Sequence, residues 1–259
     1  MIDNFKELWR FRNLVFALVS RYLSMRYRGS ILGFCWSFLN PLCLMLVYTI
    51  VFKFYMRFPI ENYSIFLFCG LLPWLWVTSA LSEGTSAVTS SGHLITKSMF
   101  PAHILPTISI ITNMIHFLLA LPLLFIFMVF AGMQLHLTLL FLPVLIVLQF
   151  FLLQGIVFFL SALNVKYRDV QHIVGNVLTF LFFLCPILYK TDQYPEAYRD
   201  LLVWLNPFAS LTVSYHNIVL DGVLPQWQAL ACLVGYALIS LIIGNFVFNR
   251  CKEGFAEML

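Results

Sequence analysis

Asp192, Glu196 and Asp200 form the one acidic constellation in this 259-residue chain, and their spacing of four would place them on one face of a helix. Such a trio could hold a divalent cation for a membrane enzyme acting on lipid-linked sugars. Pro195 interrupts the implied helix, and a solvated outer face is the simpler reading. The sequence contains no G-x-x-x-x-G-K-[ST], G-x-S-x-G or H-E-x-x-H motif, so nucleotide hydrolysis, esterase chemistry and that class of zinc protease have no visible site. Neither a catalytic residue nor a bound metal is expected of this chain.

Uncharged polar residues are more telling. Asn113, His116, Gln149, Gln154, His172, Asn176 and Thr179 all lie within long apolar runs. The last three follow steps of 4 and 3, and Phe183 continues their face. Two readings stay open: hydrogen bonds between helices worth about 1 kcal/mol each, or the lining of a path for a hydroxyl-rich substrate. Phe34, Phe38, Met45, Tyr48, Phe52 and Tyr55 recur at about 3.5-residue spacing. This mostly aromatic face serves packing or lipid contact, and also suits the apolar C–H faces of a sliding sugar polymer. No carboxylate sits mid-run; Glu83 and Lys53 fall near the ends of theirs, which argues against an ion-coupled transporter.

The elements that must position these residues follow from composition. Hydrophobic residues make up 61% of the chain and charged ones 10%, against about 25% charged in soluble domains. Apolar runs of about 20 residues cross a membrane, and six are expected, at 34–56, 64–83, 104–130, 138–163, 170–189 and 227–248. The runs are apolar all round, which favours helices over alternating barrel strands. The expected fold is therefore an all-α integral membrane protein in a single domain: an amphipathic interface helix within 1–30, six spans over 34–248 and a 249–259 tail. Eleven of the 15 Lys and Arg residues fall on the side holding both ends, including Lys6, Arg10, Arg12, Arg21, Arg26, Arg28 and Lys252, which makes both termini cytoplasmic. The first 30 residues carry six basic side chains and no small-residue cleavage site, so the start is expected to be retained. None of the six cysteines shows C-x-x-C spacing, and all read as small hydrophobes.

Between the spans, residues 3–28 predict a surface helix with Phe5, Leu8, Trp9, Val15, Phe16, Val19, Tyr22 and Leu23 on its apolar stripe. Residues 82–101 form the largest cytoplasmic connector, and its second half predicts one or two amphipathic turns stopped by Pro101. The outer segment 190–226, cut at Asn206-Pro207 and ended at Asp221-Gly222, predicts two short helices that dip into the outer leaflet and return. At the cytoplasmic entrance, Leu32-Gly33 permits a close turn after Arg28. Pro41, following Trp36 and Asn40, removes one helical hydrogen bond and frees the Ser37 carbonyl. Together these residues predict a hinge.

Arg26-Tyr27-Arg28, Leu32-Gly33, Trp36, Asn40-Pro41, Gly70-Leu71, Trp74, Leu94-Ile95, Lys97, Phe100-Pro101, Leu105-Pro106, Tyr167-Arg168-Asp169, Pro186, Tyr189, Asn206-Pro207 and Phe255-Ala256-Glu257 run nearly the whole chain. In that order they resemble the permease subunits of bacterial type-2 ABC exporters, most closely those exporting O-antigen polysaccharide or teichoic acid. The resemblance implies an inner-membrane homodimer joined by two copies of a separate ATPase, which binds ATP and magnesium in place of this chain. It implies that the surface helix and residues 91–101 contact that ATPase, with Leu94, Ile95, Lys97, Phe100 and Pro101 in the coupling helix. It further implies a periplasmic gate, placed at Trp204, Asn206 and Pro207, and a lipid-linked polysaccharide as cargo. Membrane lipids, and not nucleic acid, are the other expected contacts. Two other functions are considered: a small-molecule or drug exporter of the same superfamily, and a membrane glycosyl- or acyltransferase using the acidic trio.

Overall fold

A computed structural model describes residues 7–26, 28–97, 100–195 and 199–259. The expectations on Phe5, Lys6, Tyr27 and Glu196, and on the side chains of Lys97 and Ala256, lie outside the described residues. Along the chain the helices are α1 (Arg12–Arg26), α2 (Gly33–Tyr55), α3 (Tyr63–Ser90), α4 (Gly92–Lys97), α5 (Ile104–Phe130) and α6 (Leu142–Lys166). After them come α7 (Val170–Leu184), α8 (Arg199–Leu205), α9 (Pro207–His216), α10 (Trp227–Cys251) and α11 (Phe255–Met258). Five of these, α2, α3, α5, α6 and α10, are long and apolar enough to cross a membrane.

The helix expected at 170–189 is shorter. α7 has 15 residues, about 22 Å at 1.5 Å per residue. Pro186 is the cause: it disfavours helical geometry in the residue before it, and Cys185 is extended at φ −93°, ψ 142°. The second expected span errs the other way, because α3 continues to Ser90 through residues read as connector. Their hydroxyls fold back on carbonyls of the preceding turn, Thr85 Oγ1 to Leu81 at 2.6 Å and Thr89 Oγ1 to Ser86 at 2.9 Å, which satisfies them without leaving the helix.

α3 is the hub. Of its most apolar stretch 78% is buried, against 17% for α2, and it packs on α5, α6, α2, α9 and α7. Glycine lets its neighbours close in. A Cβ at Gly84 would lie 2.5 Å from Val157 Cγ1 of α6 and 2.9 Å from Ser109 Oγ of α5, so this position brings α3 against both. α6 and α10 touch backbone to backbone: a Cβ at Gly155 would collide with Ser240 and Leu241, and one at Gly244 with the Gly155 carbonyl.

α1 lies across the N-terminal half of α5. Leu8, Phe11, Leu14, Val15, Leu18, Val19 and Leu23 pack with Ile104 and Ile108. Trp9 and Phe16 of the expected stripe lie outside this contact, 73% and 77% exposed. The Phe11 amide donates to the Glu7 carbonyl at 2.8 Å and the Val15 amide to the Phe11 carbonyl at 3.0 Å, which carries the helical register past Phe11.

Candidate functional site

Three helices build an open groove. α7 buries only Val174, Leu178 and Phe182, one residue in each turn, and seats that stripe on α3. His172, Asn176, Thr179 and Phe183 are exposed. α2 closes the other side, with Tyr48 stacked on Phe182 at 5.5 Å between centroids. The resulting groove of about 410 Å³ is lined by Tyr48, Trp74, Thr78, Ser82, Thr179 and Phe183. Its floor is α3.

The aromatic face of α2 divides. Met45, Tyr48 and Phe52 are half-buried against the core of their own chain. Phe34 and Tyr55 are exposed, and Phe38 packs edge-on to Phe34 at 5.7 Å. The polar residues divide too. Gln149 Nε2 donates to the Pro73 carbonyl at 3.0 Å and its Oε1 accepts from Tyr215 at 2.9 Å. Gln154 Nε2 donates to Thr107 Oγ1 at 2.8 Å. These bonds join helices, whereas Thr179 Oγ1 donates only within α7, to Gly175 at 3.0 Å.

At the end of the groove nearest α1, one cluster went unread in the sequence. Arg26 Nη2 pairs with Glu83 Oε1 at 3.2 Å, and Arg26 Nη1 donates to Asn113 Oδ1 at 3.2 Å. Asn113 Nδ2 in turn donates to Glu83 Oε2 at 2.8 Å. The three close a ring linking α1, α3 and α5. The available signal was Glu83, the single carboxylate within the five long helices and α7. Beside the ring, Ser37 Oγ lies 3.3 Å from His116 Nδ1. A cleft of about 460 Å³ opens there between α2, α3 and α5, lined by Arg26, Trp36, Ser37, Asn40, Pro41 and His116.

Of the residues expected to form a hinge, Arg28, Leu32, Trp36 and Asn40 are exposed and Pro41 is buried inside α2. Gly33 adopts φ +48° with open space around it, a conformation other residues enter at a cost. Trp36 Nε1 donates to Ser30 Oγ at 3.1 Å across this turn.

Of the residues expected to couple to an ATPase, Leu94, Ile95, Phe100 and Pro101 are all half-buried. Ile95 packs against Phe255 and its neighbours, while Phe100 packs against Val19, Ile104 and Ile108. Next to it, burial holds the His103 imidazole down at about 4, partly offset by Glu7 and reinforced by Lys252. His103 Nε2 lies 3.6 Å from Glu7 Oε2.

At the opposite end, Asn206 caps α9, its Oδ1 accepting from the Phe208 amide at 3.1 Å while Nδ2 reaches Cys185 Sγ at 3.5 Å. Pro207 occupies the first turn, and Trp204 is half-buried in α8. A polar cleft of about 460 Å³ lies beside α9, lined by Glu61, Asn62, Lys190, Asp192, His216 and Asp221. His216 fits because Gly70 has no side chain: a Cβ there would lie 3.0 Å from its Nε2, which donates to the Phe66 carbonyl at 3.1 Å.

The chain is a helical bundle with five helices long and apolar enough to cross a membrane and a groove open on one side, the architecture of a multi-pass membrane protein. The chain belongs to the ABC-2 type transporter family, whose model matches residues 13–220. It is 39% identical over 260 aligned residues, covering 100% of both chains, to the O-antigen export system permease protein RfbA of Myxococcus xanthus. The protein of that name from Klebsiella pneumoniae is 32% identical over 95% of both chains. The polysialic acid transport protein KpsM of Escherichia coli is 23% identical over 92% of this chain and 93% of its own.

Proposed function

We propose that this chain is the permease of a bacterial inner-membrane exporter that moves lipid-linked polysaccharide of the O-antigen type from the cytoplasm to the periplasm. α7 serves as the sixth span, both ends lie in the cytoplasm, and α8 and α9 form the outer re-entrant gate. Two copies face each other across α2 and α7 and enclose the polymer path. Two copies of a separate ATPase bind ATP and magnesium and engage α4. Their closure moves α4, and the movement passes through α3, which packs on α2 and α7, so that Gly33 and Pro41 let the entrance open.

The observation that carries this reading is the exposure of His172, Asn176, Thr179 and Phe183 on a helix that buries one residue per turn. Facing lipid, such a surface would strand polar groups; facing a second copy, it offers hydrogen bonds and a ring to a glycan. The names of the full-length relatives support the cargo class. A drug exporter is the competing reading, and transport separates the two.

Reconstituted with its ATPase in vesicles, the chain is expected to carry a lipid-linked glycan across the membrane in the presence of MgATP. Replacing His172 and Asn176 together by Leu is expected to slow transport about tenfold, equivalent to about 1.4 kcal/mol, with the ATPase still bound. Transport of a small amphiphile but not of the glycan overturns the cargo. Phe100→Asp puts a carboxylate into the apolar contact between α1 and α5, and is expected to weaken ATPase association or transport-linked turnover. Both remaining normal overturns the coupling assignment.

A further inference from the structure

Building on the proposed role of α4 as the coupling helix, we infer that Phe255 and Leu259 are positioning residues that set how α4 is presented to the ATPase. α10 ends at Cys251, a 3₁₀ turn over Lys252–Gly254 leads into α11, and α11 packs against α4. Phe255 is fully buried. Its ring meets Phe248 of α10 edge-on at 5.4 Å, and Phe248 stacks on Phe158 of α6 at 4.9 Å. Val88 of α3 and Ala102 complete the cluster, and Ile95 and Leu259 pack on it.

Leu259 reaches further. Its Cβ lies 3.2 Å from the point where a Cβ on Gly92 would stand, so a side chain on the first residue of α4 requires Leu259 to give way. On the opposite side, Tyr22 OH of α1 lies 3.4 Å from Ser91 Oγ, one residue before α4. α4 is thus held between two supports of different kinds. The α1 side includes a polar contact, while the α11 side is a packed apolar floor drawn from α3, α6 and α10. A packed floor has few alternative arrangements, so a push on α4 is transmitted into those three helices rather than absorbed by rotation of α4. The volume at the contact between Gly92 and Leu259 therefore controls its tilt.

The test is a volume exchange in the assembled complex with its ATPase, reading the ATP hydrolysed per glycan exported. Gly92→Leu drives a side chain into Leu259 and is expected to raise that ratio about threefold or more, within the range by which packing changes alter coupling between sites. Leu259→Ala on the same chain restores the room and is expected to bring the ratio back to within about twofold of the parent, the sign of a direct contact. A cysteine at Leu94 reports separately on the underlying reading by cross-linking to the ATPase. Cross-linking with an unchanged ratio in Gly92→Leu, or with no recovery in the double variant, overturns this inference alone. Loss of ATPase cross-linking in the parent overturns the assignment of α4 itself. Phe255→Leu, which keeps the floor filled, is expected to leave the ratio close to parental, and Phe255→Ala to raise it.

Discussion

Arg26 and Glu83 are each about 40% exposed, at 40% and 43%, so their charge attraction alone is modest. Asn113 changes the balance by bonding both partners, and burial of its amide makes each bond costlier to leave unmade. Glu83→Ala is expected to cost about 1 kcal/mol, seen as a lower midpoint of thermal unfolding in detergent. Glu83→Arg, placing two cations together, is expected to cost more, and adding Arg26→Glu to recover part of the loss. Equal loss in the single reversal and the exchange pair would rule out a direct pairing. Little of this was legible beforehand. Asn113 was recognised as a polar residue in an apolar run, and its bonds between helices match one of the two readings considered. Its partners were invisible because Arg26 is 87 residues away and Glu83 is 30 away in sequence.

The helices themselves were far easier to read. Hydropathy alone placed five long helices within a few residues of their observed centres, since membrane-spanning backbone must satisfy its own hydrogen bonds. Ends were harder, and for reasons local to each. α3 outruns its apolar run because Thr85 and Thr89 bond inside the helix. α7 stops short because Pro186 follows Cys185. Contacts between helices were not legible: nothing in the sequence singles out Gly155 and Gly244 from the other glycines, yet they form the point where α6 and α10 meet backbone to backbone. Gly155→Val is expected to destabilise the bundle by about 3 kcal/mol, as overpacking of a tight contact does. Unfolding of the purified protein checks this, with Gly175→Ala as control because no atom lies within 4 Å of the added Cβ.

At the scale of the molecule the number of crossings decides the sides. Five spans would put the two ends of the bundle on opposite faces of the membrane, and a crossing α7 puts them together. In a cysteine-free background, Arg10→Cys and Glu253→Cys are both expected to resist an impermeant maleimide until cells are opened, while Glu61→Cys reacts from outside. Labelling of Glu253→Cys in intact cells would remove α7 as a span. Of the α7 residues that spacing picks out, Thr179 and Phe183 line the groove while His172 and Asn176 stand outside its lining. His172, Asn176, Thr179 and Phe183 were picked out by spacing, and all four are exposed on one short helix. That α2 turns Met45, Tyr48 and Phe52 inward against its own chain depends on α3 and α7, which no local spacing reveals.

The brevity of α7 has a consequence for the seam between two copies. On the proposed topology its 15 residues stand in a hydrocarbon layer about 30 Å thick, with the exposed face turned to the second copy, so the shortfall falls where the seam meets the lipid. A short span is met there by local thinning of the bilayer, which lowers the work of passing a polar headgroup from one leaflet to the other. Thicker membranes would oppose that thinning at the point where a lipid-borne cargo would come aboard.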